Sequence, residues 1–223
     1  MSAPFVIGQG ADTAGLTGAT TYPFPSGYTA TQGDTGLLIV ETNLTGGVTA
    51  PTGWPHITNS PRAQGSNVTS LSIMRCDFLG GESAPQIAGV SDHQVGFMLV
   101  LGNAGALDFA PVGSGNASGS NMSATGGTTL GEDRLVLVCS ANQTDIATDN
   151  YSAITNSTLT GFTVQNQAFT ANGNGGGVMV ATGTRATAGA TGTTTATIGT
   201  AGATANLVFA IMPNTFEQWG TEM

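Results

Sequence analysis

The sequence predicts an all-β protein, an antiparallel β-sandwich or jelly roll, and three observations support this fold class. Short apolar runs, rich in β-branched and aromatic residues and bounded by Gly, Pro, Asn or Asp, recur along the 223 residues. No longer segment has the apolar spacing of a capped helix, and the 34 glycines would destabilise helix interiors. The strand pattern also occurs twice. The expected strands are GLLIVETN, SLSIMRCDF, VGFMLVL, RLVLVCS, GFTVQNQAF and ANLVFAI.

The repeated pattern predicts an internal duplication. The tetrapeptide ITNS occurs at 57–60 and again at 154–157, and each copy follows a similar segment, GDTGLLIVETNLTGG or GEDRLVLVCSANQTD. Downstream, Arg75 corresponds to Arg185, and GFMLVLG corresponds to NLVFAIMP at the same spacing. We therefore expect halves at about 33–102 and 131–212 to occupy equivalent positions in one sandwich. The second half is longer, and we expect its extra residues in the loop TANGNGGG.

The expected organisation is a single domain, because a chain of 223 residues suits one sandwich with one good core. Residues 1–29 are expected to form an N-terminal arm and a first strand. Residues 30–213 are expected to form the duplicated domain, and residues 214–223 a C-terminal tail.

The charge composition excludes several classes of function. The chain has four Arg, no Lys and 13 acidic residues, which gives a formal net charge of −9. Four scattered arginines in a negative field cannot neutralise the phosphates of DNA or RNA, so we expect no nucleic-acid partner. The absence of Lys also excludes a Walker A loop and a Schiff-base lysine. No signal-peptide pattern or run of about 18 apolar residues occurs, so we expect cytosolic synthesis and no membrane partner.

The two cysteines and two histidines form no recognisable metal or catalytic motif. Cys76 and Cys139 lie in apolar runs, and we expect both to be free, buried thiols. His56 and His93 have no ligand spacing with the cysteines or with each other. We interpret them as surface or hydrogen-bonded histidines.

The acidic residues do not predict a site either. A carboxylate pair for glycoside hydrolysis would have to come from Asp77, Glu82 and Asp92, and the second half has no equivalent acids. Another group offers oxygen ligands without the fixed spacing of a calcium loop, namely Asn142, Asp145, Asp149 and Asn150. We therefore expect no catalytic residues, no cofactor and no metal ion.

Three aromatic residues have two interpretations. Trp54 follows Pro51-Thr52-Gly53, a tight turn that would fold the indole over an end of the sandwich. Tyr151 lies near the matching position of the second half. We favour a packing role for both residues, and the alternative is that Trp54, Tyr28 and Tyr151 stack against a carbohydrate.

Four residues are candidates for an interface. Arg75 and Arg185 occupy matching places in a chain with few charges, so each is expected to have a partner, either a loop carbonyl or an acid such as Asp77, or a neighbouring subunit. Phe216 and Trp219 lie in the tail after Pro213, where exposed aromatics would be a liability. We expect this aromatic pair either to pack back on its own domain or to contact a neighbouring subunit.

The order of these features resembles a β-sandwich found among tailed-bacteriophage virion proteins. The resemblance rests on GD, the strand LLIV, the turn PTGW, a strand through Arg75, and LGGESAP. The second half, from GEDRLVLV to TRATAGATGT, looks like a degenerate copy that lacks the Trp turn. The resemblance covers about residues 30–213 and brings no enzymatic residues with it.

The resemblance implies a non-enzymatic structural protein of the virion, assembled in the host cytoplasm. We expect a capsid decoration or cement protein, and a surface with few charges suits permanent docking on a protein lattice. The expected partners are the major capsid protein or other virion proteins, together with sister chains in a homo-oligomer, with a trimer favoured. The alternative is a tail fibre or receptor-binding component that holds host carbohydrate on Trp54, Tyr28 or Tyr151. A polysaccharide-cleaving enzyme ranks third.

Overall fold

A computed structural model describes residues 2–15, 18–64, 69–89 and 92–215. Nineteen β-strands and no helix occur in these ranges, which confirms the all-β prediction. In chain order the strands are β1 (Phe5–Gln9), β2 (Thr13–Gly15), β3 (Thr20–Thr21), β4 (Thr35–Thr42), β5 (Arg62–Gln64), β6 (Thr69–Asp77), β7 (Gln86–Ile87), β8 (Gln94–Gly102), β9 (Ala104–Leu107), β10 (Val112–Asn116), β11 (Asn121–Ala124), β12 (Thr128–Thr129), β13 (Arg134–Asn142), β14 (Tyr151–Thr155), β15 (Thr160–Thr170), β16 (Gly176–Arg185), β17 (Gly189–Ala190), β18 (Thr194–Ile198) and β19 (Thr204–Pro213).

Each half of the chain builds one antiparallel sheet of six strands. Sheet 1 has the order β1-β8-β4-β6-β5, and β2 also pairs with β8. Sheet 2 has the order β10-β19-β13-β16-β15, and β9 also pairs with β19. The segments GLLIVETN and RLVLVCS form β4 and β13, and each is the central strand of its sheet. The two sheets therefore have the same connectivity, as a duplication predicts.

The two sheets pack face to face as a sandwich. Their inner faces share one apolar core, to which β4 contributes Leu37 and Ile39 and β13 contributes Leu135 and Leu137. The edge strand β15 lies over β2 and β8, just as β5 lies over β10 and β19. This arrangement relates the halves by an approximate two-fold axis through the sandwich.

The jelly-roll expectation is not met. A jelly roll is built from Greek keys, in which the fourth strand returns beside the first in the order fourth, first, second, third. Here β4, β5, β6 and β8 of sheet 1 lie side by side in the order fourth, first, third, second, and each half keeps its long strands in its own sheet. The fold is a sandwich of two sheets with matching topology.

The outer faces of both sheets are also covered. On sheet 1, apolar side chains such as Val40 and Met98 pack under Tyr22, Trp54 and Phe78 from the connecting segments. On sheet 2, residues of β13, β16 and β19 pack under the three-stranded sheet β11-β18-β14. Every residue of β4 and β8 is buried for this reason. Burial on both faces explains why the central strands are continuous apolar runs and do not alternate with polar residues.

The residue-level match between the halves needs a correction. The sequence match paired Leu37 with Leu135 and Leu99 with Phe209. Leu37 lies opposite Leu99, but Leu135 lies opposite Ile211, so the register differs by two residues. Since side chains alternate between the faces of a strand, a shift of two keeps the same face inward.

The structure extends the match and relocates the insertion. The pairs β1 with β2 and β9 with β10 occupy the same edge of the two sheets, so the repeated topology begins before residue 33 and before residue 131. The ITNS segments lie in the same connection, but Ile57 packs between the sheets and Ile154 packs outside sheet 2. The extra residues of the second half mainly lengthen the edge strand, because β15 has 11 residues and β5 has three.

Candidate functional site

Three of the four arginines lie at one end of the sandwich, which we call the arginine end. Arg75 lies near the end of β6, Arg134 begins β13 and Arg185 ends β16. Arg134 and Arg185 face each other across the β13–β16 pair. Leu107 of β9 connects the two sides of this end, because it lines a cavity with Arg75 and is followed by Asp108, the partner of Arg134.

Arg75 is paired within its own chain. Its guanidinium contacts Asp77 Oδ1 at 2.7 Å, and Thr35 Oγ1 donates to the same oxygen at 2.8 Å. The Arg75 side chain is only 15% exposed, whereas Asp77 is 67% exposed. The predicted ion pair with Asp77 is therefore present, and the acid, not the arginine, is the group accessible to a partner.

Arg134 has a more deeply buried partner, and Arg185 forms no ion pair among the described residues. Arg134 Nε donates to Asp108 Oδ1 at 2.6 Å, and the backbone N–H of Leu130 donates to the other oxygen of this buried carboxylate. Arg185 Nε is buried and finds no hydrogen-bond acceptor among the described residues. The matching positions of Arg75 and Arg185 thus have different environments, because the Asp that follows Arg75 by two residues is replaced by Thr187 after Arg185.

Two cavities flank the Arg75–Asp77 ion pair. One of about 440 Å³ is lined by Asp34, Leu107 and Asn214, and the other, of about 380 Å³, by Pro55, His56 and Leu107. Both include Arg75 and Asp77 in their walls. They form a shallow groove across the arginine end.

The aromatic residues mostly serve packing. Trp54 is 4% exposed and meets Phe78 edge to face, with ring centroids 6.0 Å apart. Its turn is as predicted, since Trp54 N–H donates to Pro51 O at 3.0 Å and Gly53 has a φ of +82°. Tyr151 is 4% exposed, and its hydroxyl lies 2.7 Å from Ser140 Oγ.

The burial of Trp54 and Tyr151 argues against the alternative in which they stack against a carbohydrate. Neither Trp54 nor Tyr151 presents a ring face that could stack on a sugar. Tyr28 is half-buried, and its hydroxyl donates to Asp34 Oδ2 at 2.8 Å. Of the three residues proposed to stack against a carbohydrate, Tyr28 alone has a partly exposed ring. The other two interface candidates, Phe216 and Trp219, lie outside the described residues.

An apolar edge strand is the exposed feature that the sequence reasoning missed. Strand β1 pairs with β8 on one side only, and its other edge pairs with none of the described strands. Phe5 and Ile7 on this strand are 53% and 40% exposed. No charged side chain precedes Asp12 in the sequence. An exposed edge without charges or proline is open to pairing and docking.

A buried ionisable cluster at the opposite end was also missed. His93 lies between Glu41 and Asp92, and both Glu41 and His93 are fully buried. We call these residues the Glu–His–Asp trio. A signal was available, because strand alternation places Glu41 on the same inward face as Leu37 and Ile39. A carboxylate at a core position requires a buried partner.

The other polar residues considered in the sequence do not converge. Asp77 and Asp92 lie at opposite ends of sheet 1, so they form no carboxylate pair. Asn142 and Asn150 bond to each other in the interior, whereas Asp145 and Asp149 are exposed. Both cysteines are free, Cys139 is buried and Cys76 is half-buried. Burial raises the pKa of both thiols, so they remain protonated.

We predict that a metal chelator leaves the thermal stability unchanged. Among the described residues, no three His, Cys, Asp or Glu side chains are grouped so that they could bind a metal ion. The expected result is the same melting temperature by differential scanning calorimetry with and without EDTA. A fall of several degrees that added Ca²⁺ reverses would show that the group around Asp145 and Asp149 binds an ion.

Comparisons with protein-family models, with curated proteins and with solved structures found no match for this chain. No helix in the described ranges is long and apolar enough to cross a membrane. The class that the fold defines is an all-β sandwich of two sheets with the same topology.

Proposed function

We propose that this protein is a non-enzymatic structural component of a bacteriophage virion, and specifically a capsid decoration or cement protein. The observation that carries the proposal is the uncharged edge of β1, which pairs with none of the described strands on its free side and exposes Phe5 and Ile7. Exposed apolar groups on a free sheet edge promote aggregation of an isolated protein. In a protein that docks permanently, the same groups provide the binding surface.

The remaining surface supports the same proposal. Only 8% of the residues are charged, and none of them precedes Asp12, so the contact proposed for β1 does not depend on ion pairs of its own strand. A neutral edge of this kind suits a neutral apolar surface, and we propose that it docks on the major capsid protein of the particle. The central strands are buried on both faces, so the domain is well packed. A well-packed domain suits a permanent contact with a protein lattice.

The tail-fibre alternative has weaker support. It placed host carbohydrate on Trp54, Tyr28 or Tyr151, and Trp54 and Tyr151 are buried in the packing of their own halves. The groove beside Arg75 and Asp77 is the site where a carbohydrate-binding version of the proposal would have to be sought.

A sedimentation assay tests the proposal. Purified protein is mixed with phage particles that lack it, and the particles are pelleted. We expect saturable binding at a fixed ratio to the major capsid protein, with little change at high salt, because apolar contacts are not screened. Binding to isolated tails and not to heads would favour the tail component, and no binding to either would overturn the proposal.

A further inference from the structure

The Glu–His–Asp trio has an arrangement that requires an additional proton. His93 Nε2 lies 2.8 Å from Glu41 Oε2, and His93 Nδ1 lies 3.0 Å from Asp92 Oδ2. A neutral imidazole has one N–H, and an ionised carboxylate can only accept. Both contacts are hydrogen bonds only when the trio holds one proton more than a neutral ring and two carboxylates. The simplest such state is an imidazolium between two carboxylates.

The trio also contacts the second half of the molecule. Asp92 also accepts from the backbone N–H of Asn174, at 3.1 and 3.2 Å to its two oxygens. Asn174 belongs to the loop 171–175, which joins β15 to β16 in the second half. At Gly176 a Cβ atom would lie 2.1 Å from Glu41 Oε2 and 2.6 Å from His93 Nε2, so sheet 2 contacts the ion pair directly.

Residues of the first half also donate to the two carboxylates of the trio. Thr69 Oγ1 donates to Glu41 Oε1 at 2.9 Å, and Asn43 Nδ2 donates at 2.6 Å to Asp92 Oδ2, the oxygen that also faces His93 Nδ1. Glu41 is therefore held in place and fully buried, whereas the Asp92 side chain is 20% exposed. Of the two carboxylates, Asp92 is the one that water can solvate if its bond to His93 is lost.

Among the described ionisable groups near the trio, His93 is the one that can carry a positive charge. Asp145 packs against Gly175 at the end of the loop 171–175. The buried phenols of Tyr22 and Tyr151 feel the charge of Glu41, and burial is the main cause that raises the pKa of each, so both stay neutral. No Lys exists in the chain, and no arginine contacts the trio among the described residues.

We propose that the Glu–His–Asp trio is a proton-dependent latch that fastens the loop 171–175 of the second half to the first half. With the proton present, His93 joins Glu41 to Asp92, and Asp92 holds Asn174. When the proton leaves, one ring nitrogen of His93 has no hydrogen, and its lone pair faces the lone pair of a carboxylate oxygen. These two groups repel each other at this distance. Asp92 then turns to water and releases the backbone of Asn174.

The direction of the pH dependence follows from the surroundings of His93. Burial alone would lower the pKa of His93, but hydrogen bonds and charges of Glu41 and Asp92 outweigh burial and raise it. Burial likewise raises the pKa of Glu41. Because the folded state holds the proton more tightly, the latch contributes its full stability below about pH 6.5, the ordinary pKa of histidine. This contribution is lost as the pH rises through the raised pKa of folded His93.

The first test is an NMR titration of the histidine rings. The chain contains only His56 and His93, so the ring Cε1–H region has two signals, and a His56→Gln variant assigns them. We expect the His93 signal to titrate above pH 6.5, the ordinary value for histidine. Titration of His93 at or below that value would overturn the proposal.

The second test measures the loop itself by amide hydrogen exchange between pH 6 and pH 9. The protection factor of Asn174 should fall by about tenfold or more over this range, because the loop opens when His93 loses its proton. Thr200 provides a matched control, because its N–H also donates to a side-chain oxygen, Asn150 Oδ1 at 2.8 Å, but no ionisable group takes part. Equal changes at Asn174 and Thr200, or no change at Asn174, would contradict the latch.

A Glu41→Gln variant separates the latch from a merely structural ion pair. A glutamine amide can donate to Nε2 of a neutral His93, whose Nδ1–H then donates to Asp92, so every bond survives without the extra proton. We expect this variant to keep Asn174 protected at pH 9, where the unmodified protein loses protection. Loss of protection in both proteins would refute the proton as the cause. The titration of unmodified His93 decides the question if the variant does not fold.

Discussion

Replacing Phe5 and Ile7 by Asp together should abolish binding to the capsid while the domain stays folded. Both side chains are about half exposed on β1, and apolar anchors at the centre of an interface contribute about 2 kcal/mol or more each. We therefore expect binding in the sedimentation assay to weaken by at least about a hundredfold. The melting temperature should change by only a few degrees, since the substituted groups project from an edge strand.

The matched control is Leu79→Asp. Leu79 is 79% exposed, but it lies after β6 and not on β1. This variant adds one acidic group to an exposed apolar position and should bind particles as the unmodified protein does. Normal binding by the Phe5 and Ile7 variant, or equal loss in the Leu79 variant, would show that β1 is not the docking edge.

Replacing Trp54 by Ala should lower the free energy of unfolding by about 3–5 kcal/mol, the usual cost of truncating a buried aromatic residue. Trp54 fills the space above Gly36, where a Cβ atom would lie 2.5 Å from the indole and 2.6 Å from the Phe78 ring. Without the indole, Phe78 loses its edge-to-face partner and the outer cover of sheet 1 loses its anchor. The expected loss is a large part of the total stability of a typical domain.

Chemical denaturation followed by circular dichroism measures this effect. Trp54→Phe is the control, because it keeps an aromatic ring against Phe78 and should cost less than the alanine variant. A loss below about 1 kcal/mol for Trp54→Ala, the usual range of exposed sites, would mean that Trp54 is not part of the core. Such a result would also reopen the interpretation that the indole binds a ligand.

The sequence was informative wherever structure follows from local pattern. The long central strands and the Pro51–Gly53 turn were predicted because apolar runs and turn residues act over a few positions. The equivalence of GLLIVETN and RLVLVCS was also predicted, because a repeat is visible in the sequence without knowledge of the contacts. The edge strands β1 and β2 were not resolved as partners of β8, because strand pairing is non-local and short polar strands carry a weak pattern.

The trio could not be assembled from the sequence for a similar reason. Glu41 and His93 are 52 residues apart, and their contact depends on the pairing of β4 with β8. The sequence left His93 as either a surface or a hydrogen-bonded residue, and its two carboxylate partners were not identified. The position of Glu41 on the inward face of β4 could be predicted from strand alternation, and it indicated a buried carboxylate. It did not indicate which residue would be its partner.

The most direct measurement of the central claim is the copy number of this protein in purified phage particles, determined by quantitative mass spectrometry against the major capsid protein. A capsid decoration protein occupies repeated sites of the shell, so its copy number should be a simple ratio of that of the major capsid protein. A number limited to the few copies that a tail contains would contradict the capsid location. Absence from the particles would contradict the proposed function altogether.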